Sequence, residues 1–234
     1  YLTSTDAGTQ GRSYVDSSKQ NTTTAALRMI DANGGEIAAT NITELKARGN
    51  STFTYAEKKS YQIKLDTASN LLQTGESVKT WVLLANYFDA TLMHDKLFKD
   101  LAADLQMPYT ASCDWVSLYY DGEYRGVYLL SEKNTVKSTG VAITDMEDAY
   151  KEQNPSYGTD MQTSSGKNAY GMTYFFTKDL KEPENITGGY LLELNHDQPD
   201  EVSGFITRQG KGMNVKSPEW CGEEAMHYIS EYYQ

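Results

Sequence analysis

Arg48, Gly49, Asn50 and Ser51 stand together in one polar stretch, and Lys64 lies on the alternating segment that follows it. A guanidinium offers a planar fork of donors to an oxyanion, and an ammonium offers a compact charge. Glycine lets the backbone approach a ligand closely, and small hydroxyls donate to phosphate oxygens. In this order the residues have the chemistry to cradle a phosphate-bearing ligand. Each also has a plainer reading: Lys64 as a solvated surface lysine, Arg48 as the partner of a structural carboxylate, and the stretch from Gly49 to Lys59 as a long solvent-facing hairpin loop. Lys58 and Lys59 are expected to be exposed.

The elements that must position these groups follow from pattern. Residues Thr43 to Arg48 and Ser60 to Asp66 alternate polar and apolar side chains, as half-buried strands do. Tyr61, Ile63 and Leu65 share one face and leave Gln62 and Lys64 on the other. Upstream, a polar opening through Thr24 reads as an edge strand or ordered loop with little core content. The apolar run from Ala25 to Asp31 then meets Asp31-Ala32-Asn33-Gly34-Gly35, a turn signal, and returns through Glu36 to Ala39.

Asp89 is placed to cap a helix whose apolar residues, Ala90, Met93, Leu97 and Leu101 with Phe98 and Leu105 beside them, recur at helical spacing and stop at Met107-Pro108. Asp95, Asp100 and Asp104 are the carboxylates on that helix, and the commoner role for each is a solvated helical charge. Asp121-Gly122 joins Val116–Tyr120 to Tyr124–Leu130 as a hairpin, and the second strand turns polar at Ser131-Glu132-Lys133. The stretch 133–168 is polar, with a helix expected near Asp145 to Gln153 and the rest read as an insertion or mobile loop. Strands are expected at Tyr170–Phe176 and Gly189–Leu194, and a helix from Glu219 to Tyr233.

Composition sets limits on function. A 234-residue chain that is 39% hydrophobic can bury a sizeable core, and a net charge of −11 with a pI near 4.7 argues against nucleic acid or an anionic membrane as main partner. Nothing resembles a signal peptide, and no apolar run approaches the roughly 20 residues of a membrane span. Cys113 and Cys221 can pair only if the fold joins them. His94, His196 and His227 lack zinc spacing, Asp197, Asp200 and Glu201 lack calcium-loop spacing, and no Gly-x-Ser-x-Gly elbow occurs.

Four islands stand out in order: Arg48-Gly49-Asn50-Ser51-Thr52 running into Lys58-Lys59-Ser60-Tyr61-Gln62-Ile63-Lys64-Leu65, then Trp81 to Asp89, Asp121 to Leu130, and Gly188-Gly189-Tyr190-Leu191-Leu192-Glu193-Leu194. Together they resemble the CotH family, the spore-coat-protein-H-like atypical protein kinases, from about Ala26 to Glu219. This sequence departs from the family pattern at Phe53, Ser60 and His94, where Trp, Pro and Arg are usual.

The resemblance implies an α+β fold: a kinase-like N-terminal lobe with a twisted antiparallel sheet and one long helix over residues 1–132, a polar insertion at 133–169, and the start of a second lobe at 170–234. It implies ATP and Mg²⁺ as cofactors, with Arg48, Gly49, Asn50, Ser51 and Lys64 at the phosphates. Asp95 would be the helix carboxylate that holds the lysine. Leu130, Ser131 and Glu132 would form a hinge whose backbone meets adenine. The substrate would be Ser/Thr on an extracytoplasmic protein, in the setting of bacterial spore coats, cell surfaces or cellulosomes. The family's base and metal ligands lie in an acidic segment downstream of Lys216-Ser217-Pro218-Glu219, so they are expected beyond Gln234, and a chain complete at that point would be inactive. The alternative is a non-catalytic assembly module that holds a protein partner or polysaccharide through tyrosines such as Tyr119, Tyr120, Tyr232 and Tyr233.

Overall fold

Alternating side chains make strands throughout this chain, and in its first half the strands curl into a ring. The protein is described from a computed structural model that covers residues 1–73, 77–138, 140–195 and 198–233; His196 and Asp197 lie outside the described residues. Contacts divide the chain into two compact units, Tyr1–Asn134 and Thr135–Gln234.

In the first unit, strands β1 (Leu2–Ser4), β2 (Thr22–Ile30), β3 (Glu36–Arg48), β4 (Ser60–Ser69), β5 (Val78–Leu84), β6 (Cys113–Tyr120) and β7 (Glu123–Glu132) form a closed barrel in the order β1-β2-β3-β4-β5-β7-β6. The kinase-like lobe with a twisted antiparallel sheet that the resemblance implies is thus corrected to a closed barrel. Every pairing is antiparallel except the closing contact between β1 and β6. Turn chemistry fixes the register. The Asp31 Oδ1 accepts from the Asn33 and Gly35 amides at 2.8 Å, which closes the β2–β3 hairpin. Asp121 and Gly122 both take positive φ (50° and 81°), the primed geometry that suits a tight hairpin.

Period-two alternation sends one face inward. Leu45, Tyr61, Ile63, Leu65, Trp81, Tyr120 and Tyr128 are each at most 1% exposed. Burial of one such aliphatic side chain contributes about 1.5–3 kcal/mol. The polar opening contributes more to this core than its composition indicates: it forms β1 and two short helices, α1 (Ala7–Gln10) and α2 (Arg12–Ser17), and buries Leu2 and Val15. From α2, the Asp16 carboxylate accepts from the buried Tyr61 hydroxyl at 2.8 Å and pairs with Arg12 at 3.1 Å.

The remaining helices of the unit are α3 (Ser51–Tyr55) and α4 (His94–Asp104). Asp89 does not sit at the helix start; Met93 does. Its carboxylate still satisfies the first turn, accepting from the His94 amide at 2.9 Å. At 11 residues α4 is shorter than the long helix expected, and it buries none of its side chains.

The second unit holds helices α5 (Met146–Gln153) and α6 (Glu223–Tyr232) and strands β8 (Thr163–Lys167), β9 (Thr173–Thr177), β10 (Leu191–Leu194), β11 (Gly204–Ile206) and β12 (Gly212–Ser217). The strands make a sheet in the order β10-β12-β11-β9-β8. Met146, Tyr150, Phe205, Cys221, Ala225 and Met226 are fully buried in its core. Within the stretch expected to be a polar insertion, the helix expected near Asp145 to Gln153 forms as α5, and β8 adds a strand that was not expected. Cys113 and Cys221 are both free thiols.

Candidate functional site

The outward-facing residues of the barrel form rows that the strand register defines. Lys46 lies beside Gln62, Gln62 beside Val82, Val82 beside Ser131, and Ser131 beside Cys113. Arg48 pairs with Ser60 in the next row along. Over the end of the first row, the Lys99 ammonium of α4 donates to the Ser131 hydroxyl at 2.7 Å. Ser131 is completely buried, and this hydrogen bond joins α4 to the strand face.

The charges within reach of Lys99 include several residues singled out from sequence. Burial lowers its pKa first; the Arg48 guanidinium lowers it further, while Cys113, Asp95 and Glu132 raise it. Asp95 precedes Lys99 by one helical turn, so the two share a face of α4. Ser131 thus bonds, and Arg48, Asp95 and Glu132 act by charge on, a lysine that the sequence reading overlooked. The signal was present: the i, i+4 spacing of Asp95 and Lys99 was readable, but only carboxylates were sought on that helix.

Lys64 is not in this group. It is exposed on the outer face, between Glu44 and Thr80 in register. It lies four residue steps along the strand from Ser60, about 13 Å at the usual rise, so it stands away from the 49–51 turn. The same turn differs from the expected open loop. It leads into α3, and at Gly49, with φ +105°, an added Cβ would lie 2.0 Å from Thr52 Oγ1, so a side chain there would be strained and would displace the Thr52 hydroxyl. Asn50 and Ser51 are exposed; the Asn50 carbonyl accepts from Thr54 N at 3.0 Å and its side chain accepts from Lys19 at 3.0 Å.

Lys58 and Lys59, expected to be exposed, are half-buried and satisfy carbonyls. Lys59 Nζ donates to Phe53 O and Ala56 O, both at 2.6 Å, and so holds the last carbonyls of α3. Lys58 Nζ donates to Val127 O at 2.5 Å and Ala85 O at 3.3 Å and lies 4.2 Å from the Tyr128 ring centroid. Burial, then Arg125, holds its pKa below the ordinary lysine value. Parts of three sequence islands converge on this one ammonium.

The hinge expectation meets a different geometry. Leu130 and Ser131 pair with β5 on one side and β6 on the other, and Glu132 pairs with Trp81 while its N–H donates to Ser112 O at 3.1 Å. The strand edge there is occupied by its own sheet, which leaves no free backbone ladder for a base at these residues. Lys133 N still bonds Thr80 O at 3.2 Å, and the first unit ends at Asn134.

A protein-family model described as CotH kinase protein matches residues 45–194 of this chain. That span covers more than half of the chain and includes all four sequence islands. The chain belongs to the CotH kinase family. No curated protein matches it. Within the CotH match lie Arg48, Lys64, Asp95, Lys99 and the 130–132 strand. Among the described residues, no three His, Cys, Asp or Glu side chains are gathered as a metal site, and no helix is long and apolar enough to cross a membrane. Of the tyrosines proposed as a binding surface, Tyr119, Tyr232 and Tyr233 are exposed, whereas Tyr120 is completely buried and drops out.

Proposed function

We propose that this CotH domain transfers phosphate from ATP to Ser/Thr hydroxyls of a protein outside the cytoplasm, and that Arg48 and Lys99 are its phosphate-facing cations in this part of the chain. The observation that carries the reading is the half-buried Lys99 ammonium over Ser131, within electrostatic reach of Arg48, Asp95 and Glu132. A lysine steadied by carboxylates beside an arginine is the charge arrangement that a transferring phosphoryl group calls for. Lys64, in solvent about 13 Å along β4 from Ser60, lacks these neighbours.

Mg²⁺ in such reactions neutralises phosphate charge and is usually held by one or two carboxylates together with the phosphates. The described residues gather no three-ligand cage, and the proposal assigns it no protein ligand here. Thermal unfolding with ATP and Mg²⁺ tests the reading: nucleotide at tenfold over Kd stabilises a binding-competent chain by about 1.4 kcal/mol. That shift is expected to vanish in Lys99→Ala and persist in Lys64→Ala. The reverse pattern overturns the assignment of Lys99, and no shift in the unsubstituted chain overturns nucleotide binding at this face.

A second reading is favoured by one observation. Tyr119 and Tyr124, 36% and 52% exposed, lie with ring centroids 5.1 Å apart on the barrel surface, an aromatic platform suited to polysaccharide or a protein partner in a non-catalytic assembly module. Glycan binding that ignores ATP and falls with Tyr124→Ala would favour it.

A further inference from the structure

α4 is built inside out. Lys96, Lys99 and Ala102, three residues apart, form its less exposed row, and within that row Lys99 meets Ser131 of the sheet. The apolar side chains take the other side. Met93, Leu97, Leu101 and Leu105 follow one another at four-residue steps with Phe98 beside them, and they are 59%, 57%, 47%, 67% and 66% exposed in that order. At about 3.6 residues per turn, the line through Leu97 and Leu101 runs opposite Lys99. One exposed leucine is ordinary, but a continuous apolar row is not: the largest such patch on a typical monomer, about 300–600 Å², is itself often a contact surface.

Charge along the helix says what fits the row. His94, Lys96 and Lys99 lie in its N-terminal half with Asp95, whereas its C-terminal half carries Asp100 and Asp104 and its last turn holds no basic residue. Asp100 is paired within the helix to Lys96 at 2.7 Å. Asp104 forms no ion pair among the described residues, and it stands at the end of the helix where the dipole disfavours an anion. At the other end of the same row is His94, its side chain 68% exposed and bonded through Nδ1 to Asp89 at 2.8 Å. The row is therefore apolar in its middle, with a cation-forming group at one end and an unpaired carboxylate at the other.

We propose that this face binds the same face of a second copy of the chain, helix antiparallel to helix. With the two α4 helices crossing at Lys99, Leu97 comes beside Leu101 of the second copy, Met93 beside its Leu105, and His94 beside its Asp104, and the two-fold axis repeats each contact. His94, when protonated, donates to the carboxylate that has no partner within its own chain. A parallel pair would set Asp104 against Asp104 and fails on charge. Lys99 and the sheet lie on the opposite side and take no part. A helix of 11 residues is about 16 Å long, so the contact belongs to the small, reversible class below about 1,200 Å² in total. The pair forms at micromolar concentration or above, and dilute unfolding measurements see the single chain.

Sedimentation equilibrium of the 234-residue chain tests the pairing, in about 0.15 M salt, which limits the reach of its net charge of −11 to about 8 Å. Over about 1–500 μM the mass is expected to rise from 26.2 kDa toward twice that value. Leu97→Glu, in the middle of the row, is expected to raise the dissociation constant roughly tenfold or more, and Leu194→Glu, at a still more exposed leucine on β10, to leave it unchanged. Asp104→Lys, which sets a like charge against His94, is expected to raise it roughly threefold to tenfold. All three positions are exposed, and circular dichroism checks that the variants fold. A mass fixed at 26.2 kDa at every concentration overturns the proposal and leaves the face to a partner of another sequence. Association that Leu97→Glu does not weaken lies on another surface and overturns it too, and association that Asp104→Lys leaves unchanged or tightens overturns the antiparallel pairing.

Discussion

Two helices of nearly equal length, α4 in the first unit and α6 in the second, use apolar residues in opposite ways. α6 buries Ala225, Met226, Ile229 and Ser230 and completes the core of its unit. α4 buries none: Leu97 and Phe98, with Leu105 at its C-cap, are 57%, 66% and 67% exposed, and the Lys99–Ser131 hydrogen bond ties the helix to the sheet. The barrel explains the difference, because a closed ring packs its interior with its own strands and asks nothing of a helix outside. A sheet open on one face, like that of the second unit, requires a helix to cover it. The helix freed from core packing is the one that carries the charged groups of the candidate site.

Met226→Ala is the change that separates the two helices most widely. Loss of a fully buried methionine from α6 is expected to cost about 2–5 kcal/mol, read as a lower denaturant midpoint for the transition of the second unit. Glu182 sharpens the contrast from the other side. Its carboxylate accepts the Glu224 amide of α6 at 3.0 Å and the Ala225 amide at 3.3 Å, together with a short bond from the Tyr150 hydroxyl. Glu182→Ala strips the first turn of these acceptors and is expected to cost about 1–3 kcal/mol.

Burial raises the pKa of Glu182 above its ordinary 4.5. The folded state therefore holds this proton more tightly than the unfolded state, and the stabilisation it gives is full below about pH 4.5 and is lost as pH rises through the folded value. Glu182→Gln, which imitates the protonated form, is expected to gain on the unsubstituted protein as pH rises across that window. A constant difference between the two across the window would contradict the raised pKa.

The smallest effect belongs to α4. Leu97→Ala or Leu105→Ala is expected to shift stability by no more than about 0.5 kcal/mol, as surface changes do. A loss near that of Met226→Ala would show that the two helices are packed alike.

Much of the strand pattern was legible in advance. The β2–β3 and β6–β7 hairpins announce themselves in Asp31–Gly35 and Asp121-Gly122, since few residue types accept the dihedral angles those turns need. α5 and α6 follow from periodicity and polar starts, and the family follows from islands kept in order. The candidate site was legible in part. Ser131, chosen from the sequence, bonds an ammonium on whose charge Arg48, Asp95 and Glu132 also act, and that ammonium belongs to Lys99, not to Lys64. Alternation places Lys64 on the outer face and is silent on how far along the strand its neighbours lie.

The sequence by itself determined which side chains face inward, where the chain turns, and that the family is that of CotH kinases, because these depend on local dihedral preference, period-two burial and residue order. The tertiary structure decided that the strands close into a ring, that 130–132 is paired on both edges, and that Lys58 and Lys59 spend their charge on carbonyls. Those outcomes rest on contacts between residues far apart in the chain, and strand closure sets such distances only when all seven strands are in place.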